Sequence, residues 1–204
     1  MKTASVYNMP NPARRIAIDH IAPDVDAGRF CAKGIIFRPV TIGADIVCDG
    51  HDELACSLHI RPPNATSWTK LPLNSVGNDR WVATFTPDQL GIWEFTVSGR
   101  VDYFKTWLRD LARRKEHGED LRGEFAEGRS IIERVIQRAP PDITEELTRF
   151  KNALQTPDGF GVACDQQLAT LIATHADRTD ETWLALPRRV RVDRERAEFG
   201  AWYE

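Results

Sequence analysis

The sequence predicts a mainly β chain with a helical part: an immunoglobulin-like or fibronectin-like antiparallel β-sandwich that carries an α-helical insertion. From Arg14 to about Asp102, apolar and polar residues alternate in short runs separated by Gly, Pro, Asn and Asp, which is typical of strands and turns. From about Tyr103 to Asp177 the apolar spacing becomes that of helices. A strand pattern returns at 188–193, so we expect the helices to interrupt or flank the sandwich without forming a catalytic domain.

Each predicted strand has one apolar face, as expected for two antiparallel sheets packed on each other. The apolar faces are Ile16 and Ile18; Ile42, Ala44 and Ile46; Cys56, Leu58 and Ile60; Trp81, Ala83 and Phe85; and Trp93, Phe95 and Val97. The opposite faces are Ala17, Asp19 and Ile21; Ser57, His59 and Arg61; and Glu94, Thr96 and Ser98. We expect the first set to be buried and the second set to point away from the core.

Four helices are predicted between the two strand regions, and each has an apolar stripe at helical spacing. The stripes are Tyr103, Trp107 and Leu111; Leu121, Phe125, Ile132, Val135 and Ile136; Leu147, Phe150 and Leu154; and Leu168, Leu171 and Ile172. We expect the first helix to end near His117–Gly118 and the second at Pro140–Pro141. Asp142-Ile143-Thr144-Glu145 should cap the third helix, residues 156–159 should form a turn, and the fourth helix should run from about Ala163 to Thr174.

These patterns predict five parts along the chain. Residues 1–13 form a disordered or flexible amino terminus, residues 14–102 the sandwich strands and residues 103–177 the helical insertion. Residues 188–193 form the returning strand, which rejoins the sandwich, and residues 194–204 form a linker.

Composition disfavours several classes of protein. Hydrophobic residues make up 42% and charged residues 28% of the 204 residues, ordinary values for a folded domain. The net charge is -3, with 27 Lys and Arg interleaved among 30 Asp and Glu, so neither nucleic acid nor a membrane is predicted as a partner. No apolar run has the length of a signal peptide or a membrane helix, and we expect a cytoplasmic protein. The scattered Cys31, Cys48, Cys56 and Cys164 predict free, buried thiols.

Two motifs contain the residue types of a catalytic or metal site. Asp49-Gly50-His51-Asp52 follows a predicted strand, and Asp-Gly is itself a strong turn signal. A metal at His51 would need further ligands from distant parts of the chain. Asn78-Asp79-Arg80-Trp81 enters a strand, where Asn and Asp cap the backbone and Trp81 fills the core. Both motifs are therefore interpreted as turns.

The remaining residues show no spacing that is typical of an active site. The other histidines, His20, His59, His117 and His175, are dispersed, so no zinc site is predicted. The sequence has no GxSxG elbow and no glycine-rich phosphate loop. Whether the segment is an enzyme stays uncertain, but no catalytic, metal or cofactor-binding residue is predicted, and no cofactor.

The six tryptophans raise the alternative of a carbohydrate-binding module, in which sugar rings stack on exposed indoles. Trp81 and Trp93 are in phase with core-facing residues, and Trp107 belongs to a helix stripe. Only Trp68, Trp183 and Trp202 are therefore candidates for a sugar platform.

The order and spacing of short segments resemble a known family over nearly the whole chain. The segments are Arg14-Arg15-Ile16-Ala17-Ile18, Pro23 to Phe30 with Lys33, Ala44-Asp45, Asp49-Gly50-His51-Asp52, Asn78-Asp79-Arg80-Trp81 with Phe85, Gly91, Asp102 with Phe104, Thr106 and Trp107, Val192-Asp193-Arg194 with Ala197 and Phe199, and Ala201-Trp202-Tyr203-Glu204. Together they resemble the amino-terminal domain of the bacterial maltosyltransferase that uses α-maltose 1-phosphate to extend α-1,4-glucans. Cys31 and Gly34 depart from the family pattern, and residues 137–182 match it poorly.

The resemblance implies a non-catalytic front end of a retaining glycosyltransferase in the α-amylase-like superfamily. The catalytic groups would belong to a barrel that follows Glu204, so no residue here inherits a catalytic role. The implied partners are that barrel, a second copy in a homodimer and, through the parent enzyme, an α-glucan. The helical flank 103–177 is the candidate subunit contact, and the two turn motifs are expected to brace domain-to-domain geometry.

Two other classes of function stay open beside this assembly role. An autonomous α-glucan-binding β-sandwich module would expose Trp68, Trp183 or Trp202. A small stand-alone enzyme would have a concave pocket with converging carboxylates or His51.

Overall fold

A computed structural model of the chain describes residues 15–199, which divide into two compact units. Residues 15–101 and 180–199 belong to the first, here called the β unit, and residues 102–179 form the second, the helical unit. Strands and helices contain comparable numbers of residues, so the chain is mixed α/β and the prediction of a mainly β chain is wrong in that respect. The flexible segment predicted at 1–13 and the end of the predicted linker lie outside the described residues; Glu195–Phe199, inside that linker, is a 3-10 helix.

The β unit contains two sheets. Its described strands are Ile16–Ala22 (β1), Ala32–Ile35 (β2), Val40–Cys48 (β3), Leu54–Arg61 (β4), Thr69–Pro72 (β5), Asn74–Gly77 (β6), Arg80–Phe85 (β7), Gly91–Val101 (β8), Thr182–Trp183 (β9) and Arg188–Asp193 (β10). One sheet has the order β1-β3-β7-β6. The other has the order β2-β10-β8-β4-β5, and β9 also pairs with β8. Neighbouring strands are antiparallel except for β2 and β10, which are parallel.

One apolar core draws on both sheets of the β unit. Ile42 and Ile46 of β3 pack in the same cluster as Leu58 of β4 and Phe95 and Val97 of β8. Each of these side chains is almost completely buried, and burying one contributes about 1.5–3 kcal/mol relative to leaving it exposed. The alternation of apolar residues along the strands therefore determines which face of each sheet is covered.

Two predictions about strand faces are wrong. Ile21 was expected opposite Ile16, but the β1–β3 register shifts between Asp19 and Ala22. His20 has a positive φ of 45° there, and the irregularity turns Ile21 toward the core beside Ile18.

The second error concerns β4 and β8, which were each expected to have one buried face. Ser57, His59, Thr96, Ser98 and Arg100 are buried as well, so these central strands are covered on both faces. Alternation of polar and apolar residues predicts which face meets the apolar core, but it does not exclude burial of the polar face.

The helical unit has its own apolar core. Its helices are Tyr103–Glu116 (α1), Arg122–Ile136 (α2), Pro141–Ala153 (α3), Gly159–Ala163 (α4) and Gln166–His175 (α5). Trp107 and Leu111 of α1 are buried as predicted, together with Ile132 of α2, Leu147 of α3 and Leu168 of α5. Gly118 has a positive φ of 70° just after α1, where a terminating glycine was expected.

Three details of the helices differ from the prediction. Tyr103 is 44% exposed, because the neighbouring Phe104 takes the inward position of the first turn. Helix α3 begins at Pro141, one residue before the expected cap, since proline at the first helical position has a suitable φ and needs no donor. The last predicted helix corresponds to α5, which begins at Gln166 because Asp165 caps it by accepting from Gln167 N and Leu168 N. The short helix α4, which was not predicted, precedes it.

Within residues 15–199, no helix combines the length and the apolar character needed to cross a bilayer. The cytoplasmic location stays a prediction from the sequence.

Candidate functional site

A buried polar network lies on the face of the six-stranded sheet opposite the apolar core. Because Leu58 points into the core, its neighbour His59 points to the other face of β4. His59 Nε2 lies 2.9 Å from Ser98 Oγ on β8, and Ser98 Oγ donates to Glu181 Oε1 at 2.6 Å. Ser98 is completely buried, so the central hydroxyl has no access to solvent.

Serine, histidine and a carboxylate are the components of a nucleophilic triad, but their arrangement here is different. In a triad the carboxylate orients the histidine, and the histidine accepts the serine proton. Here the Ser98 hydroxyl donates its hydrogen bond to Glu181 and keeps its proton. The tautomer that satisfies this arrangement is the one in which His59 Nε2–H donates to Ser98 Oγ. The network holds β4, β8 and the segment before β9 together, and its geometry does not activate Ser98 as a nucleophile.

Two tryptophans flank the same sheet face. The Trp183 ring lies 4.4 Å from the His59 ring, centroid to centroid, at an interplanar angle of 36°. The Arg61 guanidinium lies 4.6 Å from the Trp68 ring centroid, and Arg61 Nε donates to Glu94 Oε2 at 2.7 Å. We call this surface, formed by His59, Arg61, Glu94, Ser98, Glu181, Trp68 and Trp183, the outer polar face.

The predicted platform candidates have different positions. Trp183 is 45% exposed and Trp68 is half-buried, whereas Trp202 lies outside the described residues. Trp93 and Trp107 are buried as predicted, and Trp81 is half-buried against the apolar core. What the sequence did not reveal is that β4 brings Trp68 and Trp183 to one face, since Trp183 is more than a hundred residues away in the chain.

Asp49-Gly50-His51-Asp52 forms the connection between β3 and β4, in agreement with its interpretation as a turn. Arg15 Nη2 donates to Asp49 O at 2.8 Å and to Asp52 Oδ2 at 2.6 Å, and Gly50 has a φ of 104°. Glycine suits this backbone conformation, and the arginine fixes the loop. No group of three or more His, Cys, Asp or Glu in the described part of the chain could hold a metal ion.

The second turn motif is also local. Asn78 and Asp79 both have positive φ values, 49° and 58°, as a tight hairpin turn between β6 and β7 requires. Arg80 Nη1 donates to His20 O at 2.7 Å and to Asp45 Oδ1 at 2.9 Å. The bond from Arg80 lowers the pKa of the Asp45 carboxyl below its usual value. These contacts brace β1, β3 and β7 within the β unit.

The cysteines agree with the prediction in one respect only. Cys31, Cys48, Cys56 and Cys164 are free thiols, but only Cys56 is buried and Cys164 is exposed. Desolvation raises the pKa of the Cys48 thiol above its ordinary value. The prediction of four buried thiols is therefore wrong, because scattered cysteines do not reveal on which face each one lies.

Carboxylates gather in the helical unit at an open depression beside α3. It is lined by Asp142, Glu145, Glu146 and Arg149, and Arg149 Nη2 lies 3.5 Å from Glu146 Oε1. Asp142 and Glu145 are exposed on successive positions of one helix surface. Such solvated carboxylates do not face each other across a cleft, as acid and base groups of a sugar-cleaving site do.

Comparison with known proteins agrees with the resemblance noted in the sequence. The family model described as alpha-1,4-glucan:maltose-1-phosphate maltosyltransferase, domain N/S, matches residues 14–194. The chain is 34% identical over 200 residues to the alpha-1,4-glucan:maltose-1-phosphate maltosyltransferase of Myxococcus xanthus, covering 93% of this chain and 30% of that protein. It is 31% identical over 195 residues to the protein of that name from Chlorobaculum tepidum, covering 94% and 29%.

A third relative of that name, from Salinibacter ruber, is 30% identical over 199 residues, with 96% of this chain and 30% of that protein covered. The chain thus spans about 30% of the length of the curated relatives that it matches. Because the family model covers residues 14–194, the chain belongs to the alpha-1,4-glucan:maltose-1-phosphate maltosyltransferase domain N/S family.

Proposed function

We propose that this chain is the non-catalytic, amino-terminal assembly domain of a longer maltosyltransferase that transfers maltosyl units from α-maltose 1-phosphate to α-1,4-glucan chains. Its partners are the catalytic part of that protein and a second copy in a homodimer. The observation that carries the proposal is a group of exposed apolar side chains at one end of the β unit, next to the segment that follows β10.

This group, here called the end patch, consists of Phe37, Leu90 and Ile92. Their exposed fractions are 61%, 49% and 41%. Leu90 and Ile92 line an open depression together with residues 191–194. Phe37 N bonds to Pro87 O at 2.8 Å, and its neighbour Ile36 bonds through N to Asp193 O at 2.9 Å. Exposed large apolar groups that cluster in this way are typical of contact surfaces.

The occupant we propose for the end patch is the catalytic part of the longer protein. The 3-10 helix Glu195–Phe199 lies against β2, since Lys33 Nζ donates to Ala197 O at 2.5 Å and Arg38 Nη2 lies 3.5 Å from Glu198 Oε2. The described segment after β10 therefore lies against the β unit, and residues 191–194 at its start border the end patch. In the relatives, most of the protein lies outside the region matched by this chain.

The test compares this chain with the longer protein that contains it. In the isolated chain the double substitution Leu90→Glu, Ile92→Glu should change stability by about 0.5 kcal/mol or less per site, because both side chains are exposed. In the longer protein it should lower Tm clearly, because two carboxylates become buried in a contact. Val76→Glu, at a 61% exposed site on β6, is the control. Equal tolerance of the double variant and the control in the longer protein would overturn the proposed contact.

The homodimer contact is proposed for the helical unit, and its surface is mainly charged. Tyr103 alone among the described residues 102–179 is a large, exposed apolar side chain. Arg113, Arg114 and Lys115 lie in the last turn of α1, and Asp142 lies in the first turn of α3. A contact between such surfaces depends on ion pairs and weakens as salt shortens the Debye length from about 10 Å at 0.1 M to about 3 Å at 1 M.

Light scattering of the longer protein at these two salt concentrations tests this contact. We expect the dimer to dissociate more readily at high salt, and Asp142→Lys to shift its dissociation constant. If dimer dissociation does not depend on salt, and the Leu90→Glu, Ile92→Glu variant is monomeric, the subunit contact lies in the β unit and the proposed contact is wrong.

The fold and the turn motifs complete the proposal. The core that both sheets share supports an immunoglobulin-like sandwich, and an experimental structure should show the two sheets aligned within about 30°.

The turn motif at 78–81 is proposed to act on domain geometry through the stability of the β unit, because Arg80 bonds within that unit. Unchanged activity and dimerisation of the longer protein with Asp79→Ala and Arg80→Ala would contradict this role.

A further inference from the structure

The outer polar face presents two indole rings along one strand. His59 and Arg61 are two positions apart on β4, so their side chains point to the same face about 7 Å apart. Trp183 packs on His59, and Trp68 packs on Arg61. The two rings therefore follow β4 in a row, although they come from the two separate segments of the chain that form the β unit.

Each ring is supported from behind by a side chain that is itself held in place. His59 is fixed by the bond between its Nε2 and the buried Ser98 Oγ, which in turn bonds to Glu181. Arg61 is fixed by its ion pair with Glu94. A supported ring has few alternative orientations, so its side chain loses little conformational entropy when a ligand stacks on it.

The free surfaces of the rings are accessible to solvent. Trp183 is 45% exposed, while His59 beneath it is only 6% exposed, so the imidazole covers one side of the indole and the other side faces outward. Trp68 keeps part of its surface exposed beside the Arg61–Glu94 pair. Two partly exposed indole rings on one sheet face, bordered by hydrogen-bonding groups, form a candidate ligand surface.

A sugar chain matches this combination of groups. The C–H face of a pyranose ring is apolar and stacks on an indole, while its hydroxyl groups at the rim keep hydrogen bonds to water or to side chains such as Arg61 and Glu94. Two rings in a row suit a chain of several sugar units better than a single sugar. The charges of Arg61 and Glu94 offset each other beside Trp68.

We propose that Trp183 and Trp68 on the outer polar face form a binding site for a neutral α-1,4-glucan chain, separate from the end patch. The choice of an α-1,4-linked glucan rests on the proposed function, in which the longer protein extends such chains. The site would hold the growing polymer near the enzyme and take no part in the transfer reaction.

Isothermal titration of the 204-residue chain with maltoheptaose tests the site, with cellohexaose as the β-linked comparison. We expect saturable binding of maltoheptaose and at least about tenfold weaker binding by Trp183→Ala and by Trp68→Ala, the loss expected for one stacked ring. Tyr103→Ala is the matched control, because Tyr103 is an exposed aromatic residue in the helical unit with Arg134 5.6 Å from its ring centroid. The Tyr103→Ala variant should bind maltoheptaose with the same affinity as the unchanged chain.

Folding of each variant is checked by its melting curve, and Trp183→Phe serves if Trp183→Ala does not fold. Phenylalanine keeps a smaller ring, so binding should weaken without being lost. No binding of maltoheptaose, binding that is unchanged in both tryptophan variants, or equal affinity for cellohexaose would each overturn the proposal. None of these results bears on the end patch, whose test is the stability of the longer protein.

Discussion

The β unit and the helical unit both have apolar cores, but they treat polar side chains differently. The β unit buries Ser57, His59, Thr96 and Ser98 on the face of its six-stranded sheet opposite the apolar core. In the helical unit, the buried residues of α1, α2, α3 and α5 are apolar or glycine. The stability of the helical unit therefore depends mainly on close apolar packing, whereas that of the β unit depends on buried hydrogen bonds as well. Four predictions test this difference.

The largest effect is expected from equivalent leucine truncations in the two cores. Leu58 in the β unit and Leu147 in the helical unit are both completely buried. Leu58→Ala and Leu147→Ala should each cost about 2–5 kcal/mol, because each loses burial and leaves a cavity. Calorimetry should show whether each substitution lowers a different transition. A single transition lowered equally by both would show that the two units unfold together.

The second prediction concerns the polar network of the β unit. Ser98→Ala removes the hydroxyl that joins His59 to Glu181 and should cost about 1–3 kcal/mol, the usual penalty for a buried polar group that loses its partner. Thr182→Val is the matched control, since Thr182 Oγ1 is buried without a hydrogen-bond partner among the described residues. That control should be neutral or stabilising in urea unfolding. Similar losses in both variants would argue against a stabilising network.

The third prediction tests shape in the helical unit. A Cβ at Gly128 would lie 2.2 Å from Trp107 Cζ2, and this ring is buried. Overpacking costs about 1–3 kcal/mol, and the better helix propensity of alanine offsets about 1 kcal/mol of it. Gly128→Ala should therefore be destabilising in chemical unfolding. Gly123→Ala, in the same helix with open space around it, should be stabilising, and the two variants must differ in sign for the close packing to matter.

The smallest effect is expected from acid, again in the β unit. Asp45 bonds to Arg80, which holds its pKa below the ordinary value of 3.8. A lowered folded-state pKa gives stability that is present above pH 3.8 and is lost as the pH falls through the folded pKa. Asp45→Asn should thus be less stable than the unchanged chain near neutral pH, with the difference shrinking below pH 3.8. Unfolding curves that stay parallel down to low pH would contradict this role.

The sequence predicts two of the residues of the candidate site, but it does not predict how the site is arranged. Trp68 and Trp183 were recognisable as candidates because neither is in phase with a core stripe. Their neighbours His59, Ser98 and Glu181 looked like ordinary polar residues, since nothing local shows that a strand's polar face will be buried. The missed short strands, β2, β5, β6 and β9, lack the length that makes a period visible.

The sequence by itself determined which residues form strands and helices over most of the chain, because side-chain periods of two and of about 3.6 follow from local backbone geometry. It also determined where glycine was needed, as at Gly50 and Gly118, whose positive φ depends on the local chain alone. Only the tertiary structure decided that β10 lies between β2 and β8, and that Trp183 meets His59. Those contacts join residues far apart in the chain, and their formation depends on loop closure and shared burial, which no local pattern records.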